Sequence, residues 1–315
     1  MKKSIWLTGL ASLALAACGN STTESEASAD EDVADLATET AGDADSETSG
    51  MEAAVAGPDT GTLAWAIAGD WRGENAARDG FRNPEGTLEF FGVDPSSTVI
   101  EISPGGGWYA EILAPWISAN GGTYVAAHFD ADSSSEFRRI SRANFEERFL
   151  NNDVFGNIVM GEFTPESSDM GAPGSADFVL TFRNTHGWMR GGYAERAFTD
   201  FFEVLAPGGH LGVVQHRLPD TREQDPRAMS GYVQQAYVIA LAEEAGFELV
   251  GSSEVNANPA DTADHPNGVW TLQPVGNGWD EEGFDSAPYE AIGESDRMTL
   301  LFRKPETSPV PSDGG

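Results

Sequence analysis

The chain has 315 residues, of which 51 are Asp or Glu and 18 are Lys or Arg, for a formal charge of −33. So acidic a balance disfavours nucleic-acid backbones, which are held mainly by Lys and Arg, and disfavours electrostatic docking on anionic lipid. The single cysteine, Cys18, leaves no disulfide framework or cysteine metal site, and the five histidines show no zinc-like spacing with carboxylates.

At the start, Lys2 and Lys3 precede an apolar run from Ile5 to Ala17. That run is too short to span a bilayer but suits a secretory signal over residues 1–17. It ends in Leu15-Ala16-Ala17-Cys18, which resembles a bacterial lipoprotein processing box. The resemblance implies cleavage before Cys18 and lipidation of that cysteine as the sole membrane attachment, and Gly19, in place of the aspartate that retains lipoproteins in the inner membrane, points to the periplasmic face of the outer membrane. Residues 18–59 are mostly Ser, Thr, Ala, Glu, Asp and Gly. They bury too little apolar surface to offset ordering entropy, so they read as an acidic tether reaching on the order of 35 Å. Residues 60–305 are long enough for one domain, and 306–315 form a polar tail.

Within the domain, a helical lead-in precedes alternating strands and helices. Thr98 to Ile102 is a short β-branched run, the pattern of a central parallel strand. Gly105-Gly106-Gly107 then allows a tight bend, and a helix from about Trp108 to Ala119 points its free N–H groups back at the gap. Thr123 to Ala127 is a second strand, and Glu136 to Leu150 a helix with Phe137, Ile140, Phe145 and Phe149 at helical spacing. Strands follow at Ile158 to Met160 and Phe178 to Phe182, then a helix marked by Ala194, Ala197, Phe198, Phe201, Phe202 and Leu205 that stops at Pro207-Gly208-Gly209. His210 to Gln215 is strand five, Tyr232 to Ala245 a helix closed by Gly246, and Phe247 to Val255 and Met298 to Arg303 the last two strands. This alternation predicts an α/β, doubly wound, mostly parallel Rossmann-like sheet of seven strands. Between the last two, Asn256 to Arg297 is a connection of roughly forty residues, long enough to be a functional lid.

Two cofactor classes use such a turn. Gly105-x-Gly107-x-x-Ala110 satisfies the dinucleotide pattern loosely. Glu101 argues otherwise: a carboxylate at the strand end repels a pyrophosphate but suits a ligand bearing an amino acid. Glu101-x-Ser103-x-Gly105-x-Gly107 resembles the first motif of class I S-adenosylmethionine (SAM) methyltransferases, with Ser103 in place of the first glycine and Pro104 stiffening the turn. Arg78 to Pro84, Thr87 to Val93, the Pro104-to-Tyr109 turn, Leu113-Ala114-Pro115 and His265 to Trp270 together resemble an exported bacterial class of methyltransferases.

The resemblance implies SAM as cofactor, an antiparallel last strand, and a site beyond the carboxyl ends of the strands. Cofactor contacts would come from Glu101, Ser103, Gly105, Gly107, Trp108 and Tyr109; from His128 or, two residues on, Asp130, at the ribose; from Glu162 at the adenine; and from Arg183. Arg183 to Met189 would face the methyl group and its acceptor, with Asn184 orienting and His186 as base. Trp188, Trp270 and His265 would line the acceptor pocket or its lid, His265 paired with Asp264 as a second base. The acceptor would be a small molecule. A second reading is a non-catalytic module that kept the fold and binds a nucleoside, metabolite or protein. The third, a nicotinamide oxidoreductase, is disfavoured by Glu101.

Overall fold

The computed structural model of the protein describes residues 57–306. The signal segment, Cys18, nearly all of the tether and the tail from residue 307 lie outside them.

β1 (Thr98–Ile102) is buried on both faces from Val99 onward. Ile100 and Ile102 belong to one apolar layer, and Val99 to the other. β1 pairs in parallel with β2 (Thr123–His128), which pairs with β3 (Ile158–Phe163). On the other side β1 is parallel to β5 (Ala176–Phe182), and β5 to β6 (Leu205–Leu218). β9 (Arg297–Arg303) then inserts antiparallel between β6 and β8 (Glu248–Ser253). Two short pieces, β4 (Ser168–Asp169) and β7 (Val233–Gln234), add to β3 and β6 and bring the sheet to nine strands, ordered β4-β3-β2-β1-β5-β6-β9-β8. The seven predicted strands are all present, and the antiparallel last strand is where the sequence motif implied it.

After the first strand the chain runs outward through β2 and β3, then returns to place β5 on the other flank of β1. The order therefore reverses between β1 and β5, and a crevice at the carboxyl ends of those two strands follows from topology. Helix α4 (Ala110–Ala119), with α3 (Pro84–Phe91) and α5 (Glu136–Phe149), covers one face; α7 (Ala194–Val204) and α8 (Gln235–Ala245) cover the other.

Three expectations shift. α5 turns Phe145 and Phe149 inward, but Phe137 and Ile140 are exposed at its amino end. β6 begins at Leu205, so the preceding helix ends before Pro207. The stretch after β5 is a helix, α6 (Thr185–Gly191), with Trp188 buried against Phe163, Phe198 and Phe201. A residue so packed lines no acceptor pocket.

The lead-in is bolted down by charge. Arg72, fully buried, pairs with Asp79 at 2.6 Å, while the buried Glu111 on α4 accepts from Asn75 at 2.8 Å and pairs with Arg148. These bonds fix α1 (Leu63–Ile67), the 3-10 turns of Asp70–Arg78 and α2 (Asp79–Arg82) across the amino end of α4. Among the described residues no helix is long and apolar enough to cross a membrane.

Candidate cofactor and acceptor site

The turn after β1 is built from left-handed residues: Ser103 (φ 51°), Gly105 (φ 58°) and Gly107 (φ 86°). Gly107 has a packing reason as well, since a Cβ there would lie 2.3 Å from the ring of Phe149. Gly106 is open, with nothing within 4 Å of an added Cβ, so it is where a ligand can approach the backbone.

Two side chains hold the turn to its neighbours. Asn184, at the end of β5, donates its amide to the carbonyl of Ile102 at 2.9 Å and to Thr181 Oγ1 at 3.1 Å. His128, at the end of β2, has Nε2 3.2 Å from the Gly105 carbonyl, while its Nδ1 accepts from the Phe129 N–H at 2.8 Å. An Nδ1 that accepts leaves the proton on Nε2, so the ring donates to Gly105. Burial holds His128 neutral by lowering its pKa to about 4. Both residues therefore shape the crevice, and His128 has no ring nitrogen left for a ribose. Asp130, half-buried, uses Oδ1 on the Asp132 N–H and stands two residues beyond. Glu162 lies opposite His128 in the β2–β3 register and accepts from Ser167.

Glu101 sits beneath the turn, 3 % exposed, and accepts a 2.5 Å hydrogen bond from Tyr124. Burial raises its pKa to about 7, against the opposing pull of the Tyr124 hydroxyl and the Arg183 charge. The carboxyl is thus poised between neutral and ionised, and a cation above it tips it to the charged form.

Trp108 and Tyr109 are covered. Trp108 donates to the Asn75 carbonyl and lies between the guanidinium groups of Arg72 and Arg82, and Tyr109 stacks on Phe182 at 3.5 Å. They anchor the lead-in over the turn instead of offering a free ring.

Past β5, Arg183 adopts a left-handed φ of 66°. His186 is 1 % exposed, and its Nδ1 lies 3.2 Å from the amide nitrogen of Gln215, which also donates to the Gly231 carbonyl. A base needs a free lone pair, and this one is taken. Trp270, in a 3-10 turn (Gly268–Thr271), closes on His186 at 5.8 Å and on Arg190 at 4.9 Å, so the long connection does cover the post-β5 stretch. Within that connection His265 pairs with Asp261 at 2.7 Å, not with Asp264, which turns to Arg222 and Thr262. Asp261 also accepts from the Tyr232 hydroxyl and from the N–H groups of Ala263 and Asp296. The pair is buried and structural, so the sequence neighbour was the wrong partner.

The sequence pattern missed an arginine cluster. Arg78, Arg82 and Arg297 converge on one carboxylate, Glu294, at 2.7 Å for Arg78 and 3.3 Å for Arg82. No local motif could have revealed it, since Arg78 and Glu294 are 216 residues apart. Among the described residues no group of three or more His, Cys, Asp or Glu could hold a metal.

No family model matches the chain, and no curated protein matches it either. Its fold is similar to that of solved structures. A putative sarcosine dimethylglycine methyltransferase from Galdieria sulphuraria is 15 % identical with a TM-score of 0.51, the match covering 74 % of this chain and 87 % of that one. A SAM-dependent methyltransferase from Aquifex aeolicus is 14 % identical with a TM-score of 0.48, covering 72 % and 93 % respectively. At such identities the likeness concerns the fold alone, a mostly parallel, Rossmann-like α/β sheet.

Proposed function

We propose that the protein binds S-adenosylmethionine over the Ser103–Gly107 turn and transfers its methyl group to a small-molecule acceptor, as a lipid-anchored exported enzyme attached through Cys18. The observation that carries this reading is the buried Glu101 beneath an open glycine turn at the point where strand order reverses. A carboxyl held near neutrality by burial favours a positively charged ligand over a pyrophosphate. Open space at Gly106 leaves bare backbone for the ligand to approach, and Asp130 is the candidate acceptor for its ribose hydroxyls. Glu162 is the candidate for the adenine. The resemblance of Glu101-x-Ser103-x-Gly105-x-Gly107 to a methyltransferase motif, and the methyltransferase name of the Galdieria sulphuraria neighbour, support the same reading.

Bound over the turn, SAM would supply an electrophilic methyl on a sulfonium whose neutral thioether leaving group needs no proton from the protein. The chain's own work is then positioning. Asn184 and His128 hold the turn from both sides, the Tyr124 hydroxyl fixes Glu101, and Trp270 shields the post-β5 stretch from water. His186, with Nδ1 engaged by Gln215, keeps α6 in register instead of abstracting a proton. Saturable binding of SAM or S-adenosylhomocysteine, with methyl transfer to an added acceptor, tests the reading. Tight binding with no turnover on any acceptor would favour a non-catalytic metabolite-binding module.

A further inference from the structure

Four of the 18 Lys and Arg residues of this strongly acidic chain gather at one small cavity beside the proposed cofactor crevice. Arg82, Arg183, Arg297 and Asn256 line it together with the stacked rings of Tyr109 and Phe182, and Arg78 stands behind Arg82 on Glu294. Among the described residues Glu294 is the carboxylate that Arg78, Arg82 and Arg297 share. Its Oε1 takes Arg78 and its Oε2 is shared between Arg82 and Arg297. Arg183 makes no side-chain hydrogen bond or ion pair among the described residues, although its left-handed backbone is held by a 2.7 Å bond to the Val214 carbonyl. The Nε of Arg297 is buried and unpaired, as is the amide oxygen of Asn256. Unpaired buried donors and repelling guanidinium groups are costly unless a ligand satisfies them. Burial first, and the charge of Arg183 next, hold the Arg82 pKa well below its ordinary value, the mark of a site short of negative charge.

We propose that this cluster is a carboxylate-binding subsite that anchors the methyl acceptor, so that the substrate is a small carboxylic acid whose nucleophile lies toward the glycine turn. Calling the anion part of an acceptor rests on the methyltransferase reading above. The planar guanidinium fork matches a carboxylate in two bonds, and Glu294 shows how these arginines receive one. The cavity is small and open to solvent, so its floor can receive one end group of a ligand and not a whole cofactor. The position fits an acceptor, because Val214 of β6, Arg297 of β9 and Asn256, three residues past β8, line it on the β6 side of β5, with Tyr109 joining it to the glycine turn. The unpaired oxygen of Asn256 suits an O–H or N–H donor beside that carboxylate.

The test is calorimetric titration of the full chain with acetate, lactate and succinate, and with inorganic phosphate, at constant ionic strength set by chloride. Saturable binding of a carboxylate, weakened tenfold or more in Arg183→Gln, is the expected result. Gln keeps the left-handed strain constant and orphans no partner, so the variant should melt at or above the wild-type temperature, which separates lost binding from lost folding. SAM affinity measured in saturating carboxylate should be unchanged. Competition between the two would make the anion site the cofactor's own carboxylate pocket and overturn the proposal, as would stronger binding of phosphate than of any carboxylate. Protein that binds SAM but no carboxylate overturns this inference alone. Protein that binds carboxylates but not SAM keeps an anion site, yet removes the acceptor assignment and the function on which it rests.

Discussion

Replacing Glu101 by Gln should stabilise the domain at neutral and alkaline pH. Burial raises this carboxyl from 4.5 to about 7 in the folded protein, whereas in the unfolded chain it ionises near 4.5. Below about pH 4.5 both states are protonated and the group costs nothing. As pH rises from there to about 7 the unfolded state releases its proton first, so folding loses stability, and above about 7 the loss is constant. At 1.36 kcal/mol per unit, the full loss is on the order of 3 kcal/mol. Gln mimics the protonated form and can still accept from Tyr124, whose 2.5 Å bond is already part of the balance. For a domain of this size about 3 kcal/mol corresponds to roughly 6–12 °C. Thermal melts of wild type and Glu101→Gln at pH 5 and pH 8 should therefore diverge only at the higher pH, with the variant above the wild type. A gap of equal size at both pH values, or a variant less stable at pH 8, would refute the burial argument.

His128 should behave in the opposite sense. Its folded pKa is depressed to about 4, so the ring contributes stability above about pH 6.5 that is lost as pH falls toward 4; a ring proton titration by NMR with a midpoint near 6.5 would contradict this. Gly107→Ala forces a left-handed residue and a Cβ 2.3 Å from Phe149. It should cost about 2–4 kcal/mol in chemical denaturation, and a loss under 1 kcal/mol would show that the ring yields. Trp188→Ala, which empties the contact with Phe163, Phe198 and Phe201, should cost about 3–5 kcal/mol; a change in cofactor affinity without a change in stability would return Trp188 to the ligand pocket.

Much of the fold was legible because its causes are local. Apolar β-branched runs, glycine punctuation after Ala245 and the turn at Gly105–Gly107 each follow from a few neighbouring residues, and right-handed crossovers leave few ways to order the strands. Glu101 could be read as special because a carboxylate in a central strand has no packing reason. The side-chain roles were less legible. Trp188 and the exposed Phe137 and Ile140 show that helical spacing gives a face without saying which neighbour meets it. His265 chose Asp261 over adjacent Asp264 because Asp261 also gathers Tyr232 and two backbone N–H groups from remote segments. The arginine cluster was invisible for the same reason: its members come from α2, the end of β5 and the start of β9, and only the folded sheet brings them together.

Direct titration of the protein with SAM is the most incisive measurement, run at pH 8 and pH 6 with NAD as the comparison ligand. A cation that ionises Glu101 on binding must displace its proton at the lower pH, so affinity should fall about tenfold between the two, with no binding of NAD and a clear loss in Glu101→Ala. Binding of NAD in preference to SAM, or SAM affinity indifferent to both pH and the Glu101→Ala change, would contradict the account.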